Sequence, residues 1–122
     1  MMRYLVLIAY EPGGWEAATP EERQGYVEGH AAFDRFVDEH GRRLSGAPLA
    51  DAETATTVRH AHGETVVSDG PFVESVETIG GYYDVELADL DSAIQAASLL
   101  PPAYAVEIRA VIELDASGEK VG

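Results

Sequence analysis

The chain has 122 residues, of which 46% are hydrophobic and 25% charged, a composition typical of one globular domain rather than a disordered chain. Its formal net charge of −14 comes from 22 acidic and 8 basic residues, which disfavours binding to nucleic acids and to anionic membranes. There is no cysteine, so disulfides, a thiolate nucleophile and cysteine-based metal sites are excluded.

The first predicted element is a strand over residues 3–10 that is apolar on both faces. One face carries Tyr4, Val6, Ile8 and Tyr10, and the other carries Leu5, Leu7 and Ala9. This longest apolar run is far shorter than the roughly 20 residues of a membrane span, and no signal-peptide pattern surrounds it, so we expect a cytoplasmic protein. Helices of so small a domain can cover one face only. A second copy is the simplest cover for the other face, which predicts a homodimer.

A helix is predicted to begin after Thr19, which suits the N-cap position, with Pro20 in the first turn and Glu22 completing a capping box. An apolar stripe follows at helical spacing, and Gly41 ends the helix. The stripe consists of Tyr26, His30, Phe33 and Val37.

Five further elements complete the predicted fold. They are a strand over residues 42–50 with a break at 46–48, a hairpin of residues 54–60 and 64–67, a strand over 79–87, a helix from about 89 to 100, and a strand over 104–114. The order predicts a ferredoxin-like α+β fold, with an antiparallel sheet, an extra hairpin and both helices on one sheet face. We expect a single domain over residues 1–122, with a core of about 3–114 and a polar tail over 115–122.

The stretch Asp69-Gly70-Pro71-Phe72 predicts a rigid turn, because glycine tolerates positive φ and proline fixes its own φ. Taken alone, it is more typical of a tight connection between strands than of a functional loop.

His30 is the best candidate for catalysis. It lies on the apolar stripe, where an imidazole needs a partner, and Asp34 follows one turn later. A lone histidine in such a stripe is more often structural. His60 and His62 alternate on the hairpin but lack an evident third ligand, so no metal site is predicted.

Two predicted strands carry mixed polar and aromatic faces, which would turn away from the helices. These faces hold Tyr82, Asp84 and Glu86 on one strand and Glu107, Arg109, Val111 and Glu113 on the other. Such faces could line a small-molecule site or could form cross-strand ion pairs. Trp15, the only tryptophan, could flank a pocket or a dimer seam. The chain has no phosphate-binding loop, dinucleotide fingerprint or serine elbow, and we expect no cofactor.

The run from Asp69 to Tyr83 resembles the signature of the DGPF branch of the YCII-related proteins. The first strand, the helix around His30, residues 55–59 and residues 106–109 match this branch as well, so the resemblance covers roughly residues 3–112. It implies a dimeric α+β barrel in which two ferredoxin-like sheets face each other. It also implies a relationship to small lyases, isomerases and oxygenases that act on cyclic or aromatic compounds through a His–carboxylate pair, with His30 as the histidine. Members of this branch are often associated with alternative sigma factors.

Two positions depart from the family pattern. Val76 stands where the branch usually has lysine, and Leu100 stands before Pro101 where the wider group often has an acidic residue. If that carboxylate is the usual partner of the histidine, Asp69 or Asp34 would have to replace it here.

The leading hypothesis is therefore a homodimeric lyase or isomerase that acts on an unidentified small molecule. His30 would be its acid or base, paired with Asp69 or Asp34. The ligand would be bound by Phe72, Tyr82, Tyr83, Trp15 and Arg109. The alternative is a non-enzymatic dimeric binding or regulatory module, for example an accessory to an alternative sigma factor.

Overall fold

The computed structural model describes residues 1–122 and contains six strands, three α-helices and one turn of 3-10 helix over Ala52–Thr54. The strands are β1 (Met2–Tyr10), β2 (Arg42–Pro48), β3 (Thr56–Ala61), β4 (Glu64–Asp69), β5 (Thr78–Leu87) and β6 (Ala105–Ala110). The helices are α1 (Gly14–Ala17), α2 (Pro20–His40) and α3 (Leu90–Ala97).

Four strands form an antiparallel sheet in the order β2-β5-β1-β6, and β3 pairs with β4 in a separate two-stranded sheet. Strand β1 lies between β5 and β6 over most of its length, with Val6 opposite both Tyr83 and Ile108. Together with α2 and α3, this arrangement confirms the predicted ferredoxin-like α+β fold with an additional hairpin.

The core lies between one face of this sheet and the two longer helices. Its eleven buried apolar residues are Tyr4, Val6, Ile8, Phe33, Val37, Tyr83, Val85, Leu87, Ala93, Ala96 and Leu100. The alternation within β1 is as predicted over most of the strand: Tyr4, Val6 and Ile8 are buried, whereas Leu5, Leu7 and Ala9 are only half-buried. The opposite sheet face is therefore partly open in the single chain.

Helix α2 begins and ends where the sequence predicts. The Thr19 hydroxyl accepts a hydrogen bond from the Glu22 amide at 3.1 Å, and the Glu22 carboxylate accepts one from the Thr19 amide at 3.1 Å. These two bonds satisfy amides that the first helical turn leaves unpaired. Gly41 closes the helix through its amide, which donates to the Val37 carbonyl at 2.8 Å.

Several predicted bounds are wrong by a few residues: β2 ends at Pro48 rather than at 50, and the hairpin strands are Thr56–Ala61 and Glu64–Asp69 rather than 54–60 and 64–67. Strand β6 ends at Ala110 rather than at 114; its regular pairing with β1 stops at Tyr4 opposite Ala110 and is followed only by the bond from the Val111 amide to the Arg3 carbonyl. Helix α3 ends at Ala97 and continues to residue 100 only as a tighter turn. In β2 the irregularity falls at Leu44, whereas residues 46–48 stay paired with β5.

The β3–β4 hairpin turns at His62 and Gly63, which both have positive φ, at 51° and 77°. Such a turn matches the twist of the flanking strands. No residue of either strand is buried, and Val58 and Val67 pair across the hairpin while staying 57% and 64% exposed. The hairpin therefore stands outside the core. None of the helices is long and apolar enough to cross a membrane.

Candidate functional site

His30 is held between two tyrosine hydroxyls that come from different parts of the sheet. Its Nδ1 lies 2.6 Å from the hydroxyl of Tyr83, on the inner face of β5, and its Nε2 lies 3.0 Å from the hydroxyl of Tyr104, just before β6. Helix α2 supplies the histidine on the same stripe as the buried Phe33 and Val37. Both ring nitrogens are therefore engaged, and the imidazole has a fixed orientation.

The surroundings favour a neutral imidazole. Burial lowers the pKa of His30 below its ordinary value, the nearby Asp34 carboxylate opposes that shift, and the Arg43 guanidinium adds to it. A neutral imidazole has one donor and one acceptor nitrogen, and a hydroxyl can serve as the partner of either. Burial also raises the pKa of Tyr83, and it raises the pKa of Tyr104 to about 12. Both hydroxyls therefore keep their protons at neutral pH.

Arg43, in β2, brings a positive charge next to this triad. Its guanidinium lies 5.0 Å from the ring centroid of Tyr83, pairs with Asp34 at 3.2 Å and donates to the Gly46 carbonyl at 3.3 Å. Its side chain is 39% exposed, so the ion pair is partly solvated and weak enough to rearrange around a ligand.

These groups line a cavity of about 290 Å³, which we call the His30 cavity. Its lining includes His30, Tyr83, Tyr104, Arg43, Tyr10, Tyr82, Ile8 and the β2 and β5 backbone around Gly46 and Gly80. Two glycines keep it open. A Cβ at Gly46 would lie 2.6 Å from the Tyr83 ring, and a Cβ at Gly80 would overlap the Tyr10 hydroxyl. The size suits a small ligand with a few polar groups.

The predicted direct pairing of His30 with a carboxylate is wrong, because tyrosine hydroxyls occupy both ring nitrogens. Asp34 acts on His30 only through its charge and is paired with Arg43. Asp69 ends β4 and is exposed, and with Gly70 and Pro71 it lines a separate groove of about 650 Å³. The tyrosines are the partners of His30 because the buried stripe of α2 faces the inner side of the sheet, whereas Asp69 belongs to the exposed hairpin.

The remaining predicted residues are distributed over several surfaces. Tyr82 and Tyr83 both line the His30 cavity, whereas Trp15 lines the groove that also contains Asp69. Phe72 is 74% exposed and lines none of these cavities. Arg109 is exposed and pairs with Glu107 at 3.3 Å.

The outer face of the sheet carries ion pairs. The Arg3 guanidinium donates two hydrogen bonds, of 2.9 and 2.7 Å, to the Asp84 carboxylate, and Arg42 pairs with Glu86 at 2.8 Å. Cross-strand pairing is therefore the interpretation that the structure supports for the mixed face of β5. His60 and His62 lie on the exposed hairpin and its turn, and no group of three or more His, Asp or Glu residues is arranged to hold a metal ion.

Sequence reasoning did not single out Tyr104, which bonds to His30, or Arg43, which supplies the charge of the cavity. Tyr104 looks like an ordinary strand residue, although its place between Pro101-Pro102 and the start of β6 could have marked it as a rim position. Arg43 opposes Val85 on the inner face, and the irregularity at Leu44 brings Gly46, opposite Tyr83, onto the same face. Neither register could be read from the sequence pattern.

Comparison with known proteins places the chain among related sequences. Residues 2–115 match the model of the YCII-related domain. An uncharacterised protein of Rhizobium meliloti (strain 1021) is 35% identical over 96 residues, which cover 79% of this chain and 77% of that protein.

Proposed function

The chain belongs to the YCII-related domain family, and from that premise we propose that it binds a small cyclic or aromatic carbonyl compound and acts on it as a lyase or isomerase. One observation supports this most directly. A neutral histidine, two protonated tyrosines and an arginine all line one small cavity. These are the groups needed to move a proton next to a carbonyl.

In the proposed mechanism His30 is the general base and Tyr83 positions it. Nδ1–H donates to the Tyr83 hydroxyl across the 2.6 Å bond, which leaves Nε2 as the acceptor. The longer 3.0 Å bond to Tyr104 is the one that a substrate C–H replaces. Tyr104 then turns its hydroxyl toward the substrate and serves as a hydrogen-bond donor.

Proton removal leaves an enolate, because the electrons of the broken C–H bond form a C=C bond while the carbonyl oxygen becomes negative. Arg43 and the Tyr104 hydroxyl stabilise that oxygen. The imidazolium of His30 then returns the proton to a different carbon in an isomerase. In a lyase the enolate re-forms the carbonyl and a C=C bond as the leaving group departs from the neighbouring carbon with the bonding electrons, and the imidazolium gives its proton to that group. The lowered pKa of His30 favours the return of the proton.

The test is deuterium incorporation from D₂O into 3-cyclohexenone and into a five-membered β,γ-unsaturated lactone, followed by proton NMR. We expect the protein to accelerate incorporation into at least one compound and His30→Gln to reduce that acceleration by about 10²–10⁴-fold. His40→Gln is the matched control, because His40 lies at the exposed end of the same helix. Full activity of His30→Gln would refute the proposed role of His30.

The second candidate is a non-enzymatic binding or regulatory module, such as a partner of an alternative sigma factor. It is favoured by the full occupancy of both His30 nitrogens and by Val76, which stands where the resemblance implies a lysine. If this second function is correct, the protein should not accelerate deuterium incorporation. Its binding to a ligand or a partner protein should also be unchanged by His30→Ala. Assignment to the DGPF branch and a cytoplasmic location stay predictions.

We also propose that two copies associate through the outer sheet face. Leu5, Leu7 and Ala9 are only half-buried there, and the neighbouring Ile79 is 47% exposed. A shallow apolar groove on this face is lined by Leu7, Ala9, Ile79 and the start of β6. Sedimentation velocity at micromolar concentration should show a dimer that Leu7→Glu dissociates and Val58→Glu, on the hairpin, leaves intact. A wild-type monomer would contradict the proposal.

A further inference from the structure

A second cavity adjoins the His30 cavity and shares two of its walls, Tyr10 and Tyr104. We call it the aromatic recess; its volume is about 490 Å³. The recess is lined by Tyr10, Glu11, Gly14, Trp15, Tyr26, Glu77, Ala103 and Tyr104. Half of these residues are aromatic, and one ring, that of Tyr104, links the recess directly to the Nε2 of His30.

The four rings form a continuous series of side-chain contacts. Tyr10 stacks on Tyr104 with centroids 5.3 Å apart, Tyr104 stacks on Tyr26 at 5.9 Å, and Tyr26 meets Trp15 at 6.0 Å with a tilt of 56°. Each distance lies in the range of favourable aromatic contact. The rings therefore hold one another in place and present a ready-made surface for a further flat ring.

The recess is negatively charged. Glu11 and Glu77 are its only charged lining residues, and neither side chain takes part in an ion pair or a hydrogen bond. Arg23 lies over the Trp15 ring at 4.8 Å and donates to the Trp15 carbonyl at 3.0 Å, so it holds the indole in place without lining the recess. The His30 cavity has the opposite character, since its charged lining residue is Arg43.

We propose that the aromatic recess is a binding subsite for an arylalkylamine, a compound whose aromatic ring carries a protonated amine through a short alkyl link. The ring of the amine stacks among Trp15, Tyr26 and Tyr104, and its ammonium group meets Glu11 and Glu77. A carboxylate-bearing ring is disfavoured by the same two carboxylates. The proposal rests on the proposed function in one respect: it assigns the amine group and the carbonyl that reacts at His30 to the same substrate molecule.

Three probes of one shape and different charge test this proposal: benzylamine, benzyl alcohol and benzoate. Binding is followed by the fluorescence of Trp15, the only tryptophan of the chain, and by calorimetry. We expect benzylamine to bind most tightly and benzoate most weakly, with the preference for benzylamine shrinking as salt is added. Equal affinity for all three, a preference for benzoate, or no binding of benzylamine would overturn the proposal.

Variants locate the binding. The double variant Glu11→Gln, Glu77→Gln should lower benzylamine affinity about twofold to thirtyfold and leave benzyl alcohol unaffected, as expected for two exposed ion pairs. Glu74→Gln is the matched control, because Glu74 lines the neighbouring groove but not the recess. An equal loss in the control would contradict the assignment.

His30→Gln separates this proposal from the proposed function. We expect it to reduce the acceleration of deuterium incorporation by about 10²–10⁴-fold, while benzylamine affinity stays within about twofold, a change too small to correspond to a lost contact. Benzylamine binding without any incorporation by the wild-type protein would support the subsite and refute the catalytic role. Incorporation without benzylamine binding would do the reverse.

Discussion

The four-stranded sheet with its packed helices, which we call the body, and the β3–β4 hairpin differ in burial: the body contains the buried core, whereas no residue of the hairpin strands is buried. The body buries Phe33 against Tyr83, with ring centroids 4.3 Å apart, whereas Phe72 beyond the hairpin is 74% exposed. The body contains the His30 cavity, and the hairpin leads into the stretch that most resembles a family signature. The comparison teaches that a conspicuous sequence motif can be divided between regions: its last residues, Gly80 to Tyr83, line the His30 cavity, whereas Asp69 and Phe72 at its start do not.

The largest difference that we expect is in amide hydrogen exchange. Amides of β1 and β5 in the middle of the sheet should exchange only through near-global unfolding, which costs about 5–15 kcal/mol in typical domains. Hairpin amides should exchange through local opening, because a two-stranded sheet without buried residues is marginally stable. Exchange monitored by NMR checks this. Equal protection of the hairpin would show that another surface covers it.

A matched pair of phenylalanine substitutions tests the same contrast. Phe33→Ala should lower the free energy of unfolding by about 3–5 kcal/mol, because it leaves a cavity in a fully buried position. Phe72→Ala should change it by less than about 0.5 kcal/mol. Urea denaturation measures both, and a large loss for Phe72→Ala would break the comparison.

Two glycine substitutions provide a further test of the contrast between the body and the hairpin. Gly80→Ala should cost about 1–3 kcal/mol, because the new Cβ would overlap the Tyr10 hydroxyl and displace a wall of the His30 cavity. Gly63→Ala is also strained, since its φ is 77°, but the hairpin turn is open on all sides. Its cost should appear in the exchange of hairpin amides and not in the urea midpoint. A shifted urea midpoint in Gly63→Ala would show that the hairpin and the body unfold together.

The smallest effect that we expect is a pH dependence of stability. Burial lowers the pKa of His30, so the unfolded chain binds a proton more readily than the folded chain. The stabilising contribution of neutral His30 to the free energy of unfolding is therefore fully present above the ordinary histidine pKa of about 6.5. It is lost as pH falls through the lower pKa of His30 in the folded chain. His30→Gln should flatten urea stability in this window. His60→Gln, on the hairpin, is the control, and an equal flattening there would contradict the assignment.

The fold was largely predictable because its signals are local and strong. The Thr19–Glu22 capping box, the double-sided first strand and the His62-Gly63 turn each appear as expected. The ends of β6 and α3 were not predictable, because they depend on where the pairing of β6 with β1 stops and on the geometry of the last helical turn.

The candidate site was predictable only in part. His30 and Tyr83 could be chosen from helix and strand periodicity, whereas Tyr104 and Arg43 depend on strand register. The proposed carboxylate partner failed for a related reason, since sequence spacing cannot show that Asp69 ends an exposed hairpin strand. Long-range register therefore decides which side chains meet.

The two hydroxyls that bracket His30 give this hydrogen-bonded chain a reversible polarity. With a neutral imidazole, the protons can run from Tyr104 through His30 to Tyr83, or in the opposite sense, with no heavy atom moving far. The two arrangements differ in which tyrosine has an O–H free to donate, because the O–H of the other tyrosine is bonded to the imidazole. A ligand that donates a hydrogen bond and one that accepts it would therefore each select a different sense, and the same three side chains would present two complementary faces.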